Sequence, residues 1–194
     1  MAVSDSPSGI REKENQKSGF VAGCYEWVED MITALLVVMV LFVFVCRLNV
    51  IVNGNSMLPN YKDGNRVFVS CLDRDYSYGD VVIIDAAGTH LNERIIKRVI
   101  ATGGQKVDID FQAGTVSVDG KTLDESAYIQ NGITREQSDL SFPRTVPAGH
   151  VFVMGDNREV SEDSRSSAVG MVDCRYIIGK VPFLLSPFKG FQAP

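Results

Sequence analysis

The sequence predicts a mainly β protein, built of antiparallel sheets or a partly closed barrel, preceded by one N-terminal transmembrane helix. Three observations carry that expectation. From about residue 48 onward, short runs rich in Val and Ile are punctuated by Gly, Pro, Asn and Asp. No stretch of this body repeats its apolar residues about every 3.6 positions, as a packed helix would. Ahead of it, the run Met31–Cys46, MITALLVVMVLFVFVC, contains no charged residue.

The elements follow in order. Residues 1–30 form a tail, and its first nineteen are polar and rich in Ser, Glu, Lys and Gly, the composition of a disordered segment. An anchor is expected over 31–48. At about 1.5 Å per residue its apolar run covers most of a hydrocarbon core roughly 30 Å thick. Arg47 is placed to snorkel, and Tyr25 and Trp27 stand where interfacial anchors do. A buried core helix would need a polar face, which the run lacks. A cleaved secretory signal would need a small-x-small site after it, and Arg47-Leu48-Asn49-Val50-Ile51 offers none. Charge leaves the orientation open, because Arg11, Lys13 and Lys17 precede the run while Arg47, Lys62 and Arg66 follow it.

The β body then occupies 49–194. Expected strands are Leu48–Val52, Arg66–Ser70, Asp80–Asp85, Arg94–Ala101, Lys106–Ile109, Thr115–Val118, Val151–Met154 and Tyr176–Val181. Val118-Asp119-Gly120-Lys121 contains the Asp-Gly pair of a tight hairpin. The apolar stretch Phe183–Phe188 is too short to span a membrane and either touches lipid or finishes the core.

Composition narrows the function. The net charge of −5, with no basic stripe, argues against nucleic acid as a partner. Four scattered cysteines, two histidines and no H-x-x-x-H pair leave no basis for a metal site. Of the cysteines, Cys71 and Cys174 fall in the β body, either as one disulfide or as two buried thiols.

Three polar constellations remain. In Gly54-Asn55-Ser56-Met57-Leu58-Pro59, Ser56 sits on a turn just beyond a strand, where its hydroxyl would be presented and backbone N–H groups could stabilise an oxyanion. Equally, the Ser could simply bond its own turn. In Arg94–Gly104, alternation places Ile95, Lys97, Val99 and Ala101 on one face with Lys97 its only charge. If that face is buried, the ammonium is desolvated and the amine becomes available as a base. If it is solvated, Lys97 is an ordinary surface lysine. Gly155–Arg165 is a dense polar segment, read either as a hydrated loop or as a frame for a base.

These boxes resemble a known family. G-N-S-M-L-P, G-D-V-V-I at Gly79–Ile83, K-R-V-I-A-T-G-G at Lys97–Gly104, G-H-V-F-V-M-G-D-N-R at Gly149–Arg158 and S-x-D-S-R at Ser161–Arg165 occur in the order found in type I signal peptidases. The resemblance implies Ser56 as nucleophile, Lys97 as general base and Ser161 as the hydroxyl that orients the lysine. It implies supporting ion pairs from Asp156, Arg98, Asp163 and Arg165, and shallow apolar subsites near Gly54, Met57 and Ile96. Gly54 stands where some members place a second oxyanion donor. The implied substrates are signal-peptide-bearing preproteins cut after Ala-x-Ala-like sequences, with no cofactor and no metal. The implied setting is the cell membrane: a single pass through the lipid bilayer, tail in the cytoplasm and catalytic domain outside, as in Gram-positive members.

Other readings compete. A Ser-His-Asp triad would need His90 or His150. A Ser–Lys self-cleaving protease would share the pair, and a membrane-tethered β module that binds peptides would do without it.

Overall fold

The computed structural model describes residues 25–42, 49–86, 91, 93–129 and 133–186. The chain divides into two units, Met1–Arg47 and Leu48–Pro194.

In the first unit a helix, α1, runs over residues 25–42, with every side chain exposed. Among the described residues no helix is long and apolar enough to cross a membrane. The expected span is therefore not met within them, for a local reason. The first turns of α1 carry Glu26, Glu29 and Asp30. Its uncharged part, 31–42, extends only about 18 Å at the rise of an α-helix. The remainder of the expected anchor, 43–48, lies outside the described residues.

Among its described residues the second unit is all β apart from a short 3₁₀ turn at Cys174–Tyr176. Its strands are β1 (Asn49–Ile51), β2 (Arg66–Ser70), β3 (Val81–Asp85), β4 (Arg94–Thr102), β5 (Lys106–Asp110), β6 (Thr115–Val118), β7 (Lys121–Thr122), β8 (Arg144–Thr145), β9 (His150–Met154), β10 (Val172–Asp173) and β11 (Ile177–Ser186). They form a seven-stranded sheet in the order β1-β2-β11-β3-β4-β9-β10 and a four-stranded sheet in the order β7-β6-β5-β8. Every pairing is antiparallel. The partly closed barrel does not form. Closure requires the end strands to pair with one another, and both sheets instead terminate in strands of only two or three residues.

All eight expected strands are present within a few residues of their expected bounds, except that β11 continues to Ser186. The unexpected β7, β8 and β10 are two residues each, too short to show alternation in a sequence. Asp119 and Gly120 make the β6–β7 hairpin with φ of 51° and 78°. Both are left-handed, as a primed two-residue turn requires, and Asp and Gly tolerate that conformation.

β4 organises the core. It lies between β3 and β9, and from Ile95 to Ala101 every residue is buried. Ile95 and Val99 join a cluster with Val82, Ile84 and Val153, whereas Ile96 joins Val52, Met57 and Val67. Ile100 and Ala101 enter a third cluster with Val107, Val116 and Phe152. A register shift between Val99 and Ala101 interrupts the pleat, so the expected single face stops at Val99. The alternative in which the Lys97 face is solvated is excluded, because both faces of this strand are covered.

At the C-terminal end Phe183 stacks on Phe68 at 4.9 Å between ring centres, and Leu184 packs against the cluster containing Met57. This part of the Phe183–Phe188 run completes the core, and its last two residues lie outside the described residues. Cys71 and Cys174 are free thiols, Cys71 exposed and Cys174 half-buried, so neither the disulfide nor a pair of buried thiols is present.

Candidate active site

A cleft of about 800 Å³ opens between the turn that follows β1 and the first half of β4. Its walls include Val52 to Ser56, Leu58, Glu93 to Lys97, Asn157, Val160 and Glu162. Ser56 and Lys97, 41 positions apart in the chain, line it together. No histidine lines it among the described residues. His150 is on β9 with its Nδ1 3.1 Å from the Ala148 carbonyl, and His90 lies outside the described residues.

The Ser56 turn is held by backbone and by acids. Gly54 adopts φ of 86°, which a side chain would strain, and its N–H donates to Asp63 Oδ1 at 2.8 Å. The Ser56 carbonyl accepts from the Asn157 N–H at 2.9 Å, and Asn157 Nδ2 donates to the Asn55 carbonyl at 3.1 Å. The N–H of Ser56 itself donates to no acceptor among the described residues. Ser56 is half-buried. Met57, next in the chain, is 1% exposed and belongs to the core rather than the cleft wall. The expectation of a subsite at Met57 is therefore corrected, since a turn directs consecutive side chains apart. Gly54 and Ile96 do line the cleft.

Lys97 is 3% exposed, and no ion pair holds its ammonium among the described residues. Burial pushes its pKa below that of an ordinary lysine, because removing water penalises the charged form. The negative charges of Asp163, Glu93 and Glu162 oppose this, and Arg165 adds to it.

The polar segment after β9 is a frame, not a hydrated loop. Arg98 donates to both oxygens of Asp156 at 2.8 Å, and its third nitrogen donates to the Gly79 carbonyl. Asp163 accepts from the Gly155 N–H at 3.0 Å and from Arg165 Nε at 2.8 Å. Arg165 Nη2 reaches the carbonyls of Arg158 and Ser161. These pairs are almost fully buried, where removing one partner strands a charge. Ser161 is brought beside the Ser56 turn: a Cβ built on Gly155 would lie 2.2 Å from Ser161 Oγ and 2.5 Å from the Ser56 carbonyl oxygen. Ser161 Oγ is buried and makes no hydrogen bond, so the bond to Lys97 implied by the resemblance is not formed here.

Several supporting residues went unassigned in the sequence. Gly155 and Asn157 lie inside the G-D-N-R box, where their neighbours drew the assignments. Asn60, which donates to Asp156 Oδ2 at 2.8 Å and to the Tyr128 carbonyl, and Asp63 carry no pattern at all. Glu125, the buried partner of Arg158 at 2.7 Å, lies 33 positions away, and nothing local marks it.

The sequence matches the family described as signal peptidase, peptidase S26, over residues 24–186. It is 33% identical over 173 residues to signal peptidase I of Bacillus licheniformis, covering 85% of this chain and 90% of that protein. It is 33% identical over 184 residues to signal peptidase IB of Staphylococcus aureus strain Mu50, covering 86% and 92% respectively. A crystal structure of a signal peptidase I from Enterococcus faecalis V583 is similar at 24% identity and a TM-score of 0.44, covering 55% of this chain and 97% of that one. A family match across most of the chain, with relatives aligned over nearly their whole lengths, shows that this chain belongs to the peptidase S26 signal peptidases and is a serine endopeptidase.

Proposed function

We propose that this protein removes signal peptides from exported preproteins through a Ser–Lys dyad, with Ser56 as nucleophile and Lys97 as general base. The observation that carries the reading is a buried lysine, in no ion pair among the described residues, lining the same cleft as a serine on a constrained turn. A neutral amine accepts the hydroxyl proton as Ser56 attacks the carbonyl of the residue before the cut. The oxyanion forms against the Ser56 N–H, which has no other acceptor among the described residues. The lysine then protonates the leaving amine, and a water activated by the same amine releases the acyl-enzyme. Ser161, whose buried hydroxyl has no hydrogen-bond partner among the described residues, is the group that orients the amine.

Arg94 to Lys97 pair with β3 on one side, whereas β9 joins β4 only from Arg98 onward. That leaves a strand edge in the cleft wall for an extended substrate to pair with. Alternate substrate side chains then face the protein, which supports small residues at the first and third positions before the cut. The walls by Gly54 and Ile96 suit such Ala-sized groups. The anchor reading stands as part of this proposal: residues 31–48 hold the domain to the lipid bilayer of the cell membrane, with the tail cytoplasmic and the catalytic unit outside. The mechanism uses neither metal nor cofactor.

The test is incubation of the detergent-solubilised protein with a preprotein, followed by sequencing of the new N-terminus. A new terminus directly after an Ala-x-Ala site, absent with Ser56→Ala, is expected. Wild-type cleavage by a folded Ser56→Ala protein would end the proposal.

A further inference from the structure

We infer that Glu125 and Arg158 are positioning residues for the reaction at Ser56, their ion pair holding the segment around Gly155 in place beside the catalytic turn. The inference rests on the Ser56–Lys97 reading and extends it to a pair that lines no part of the cleft.

Glu125 and Arg158 are 5% and 4% exposed. Arg158 Nη2 and Nη1 donate to the two Glu125 oxygens at 2.7 and 2.9 Å. Nη1 also donates to the hydroxyl of Thr134, which is fully buried, and Nε donates to the Gly155 carbonyl at 2.9 Å. Glu125 is steadied in turn by the Tyr128 hydroxyl at 2.8 Å. The planar guanidinium is thus committed in one orientation, between Glu125 and Thr134 on one side and Gly155 on the other.

Gly155 is the residue through which position is passed on. Its α-carbon leaves no room for a methyl against Ser161 and the Ser56 carbonyl, so a shift of Gly155 moves both. Two residues further on, Asn157 bonds the carbonyls of Asn55 and Ser56. The Asp156–Arg98 and Asp163–Arg165 pairs tie this segment to β4 and to itself. Glu125 and Thr134 tie it to the chain between β7 and β8. Loss of that tie frees the segment in the direction of Ser56. A misplacement on the order of 1 Å at a reacting group costs on the order of a hundredfold in rate.

Removing one partner of a buried pair strands a charge and threatens folding, whereas an apolar replacement of both is often neutral. The decisive protein is therefore the full-length Glu125→Leu/Arg158→Met double variant, beside the isosteric Glu125→Gln. Thermal unfolding and preprotein cleavage are measured for each. The double variant is expected to melt near the wild type, with kcat reduced at least about tenfold and KM within about twofold. Glu125→Gln keeps one acceptor for Arg158 and is expected to recover a large part of that kcat. A folded double variant with wild-type kcat, or one whose loss lies in KM, overturns the inference. If the double variant does not fold, Arg158→Lys decides, since it keeps a charge beside Glu125 but not the fork that also holds Gly155: a folded Arg158→Lys protein with unchanged kcat and KM overturns the inference, and a selective kcat loss supports it. A folded wild-type protein that cleaves no preprotein overturns the Ser56–Lys97 reading itself, and this inference with it.

Discussion

Gly155→Ala is the smallest change that tests whether the frame sets the geometry at Ser56. The added methyl would sit 2.2 Å from Ser161 Oγ, 2.5 Å from Ser161 Cβ and 2.5 Å from the Ser56 carbonyl oxygen. Such contacts relax only near about 3.5 Å, so the neighbours must retreat by ~1 Å. Ser161 Oγ makes no hydrogen bond and can rotate away, but its Cβ cannot, and the Ser56 carbonyl is held by the Asn157 N–H at 2.9 Å. The displacement therefore falls on the backbone of the catalytic turn. Overpacking of this kind costs about 1–3 kcal/mol of stability. If Ser56 is the nucleophile, as proposed, a shift of that size is expected to lower kcat by on the order of a hundredfold. The assay is preprotein cleavage over a range of substrate concentrations, with thermal unfolding in parallel. A folded Gly155→Ala protein with wild-type kcat would refute the placement of Gly155 as a spacer between Ser161 and Ser56.

The remaining expectations concern the dyad and its frame. Ser56→Ala and Lys97→Ala each abolish nearly all cleavage, and combining them adds little further loss, as measured by single-turnover rates. The lowered pKa of Lys97 sets the acid side of the pH profile: kcat/KM falls as the amine is protonated and reaches a plateau once it is neutral, whereas a rate still rising steeply beyond about pH 10 would show an ordinary lysine. The same burial destabilises the fold in full below the depressed folded pKa, and the loss fades as pH rises from there to 10.5, the interval in which the unfolded chain binds the extra proton. Lys97→Met is therefore expected to be inactive yet melt higher than the wild type at neutral pH, the difference vanishing in alkali. Asp156→Asn leaves buried Arg98 without its charge partner and is expected to destabilise by about 3–5 kcal/mol in urea titration. Phe placed at the first or third position before the cut blocks cleavage far more than Phe at the second, and equal sensitivity at all three would contradict an extended substrate.

What the sequence by itself determined is local. The strands were legible because Val and Ile runs end at Gly, Pro, Asn or Asp, and the β6–β7 turn because Asp119 and Gly120 both accept a left-handed backbone. The ordered boxes from Gly54 to Arg165 marked Ser56 and Lys97, which the fold then brings to one cleft. The tertiary structure alone decided what depends on neighbours distant in the chain. Whether Lys97 is a desolvated amine or a surface cation is one such matter, and its desolvation follows from β4 being covered on both faces. Alternation could not foresee the register shift after Val99, nor that Met57 turns into the core while Ser56 lines the cleft. Neither could it join Glu125 to Arg158, because a buried ion pair leaves no periodic trace in either segment. The open edges of both sheets were likewise undecided, since two-residue strands are specified by the partners they meet rather than by their own residues.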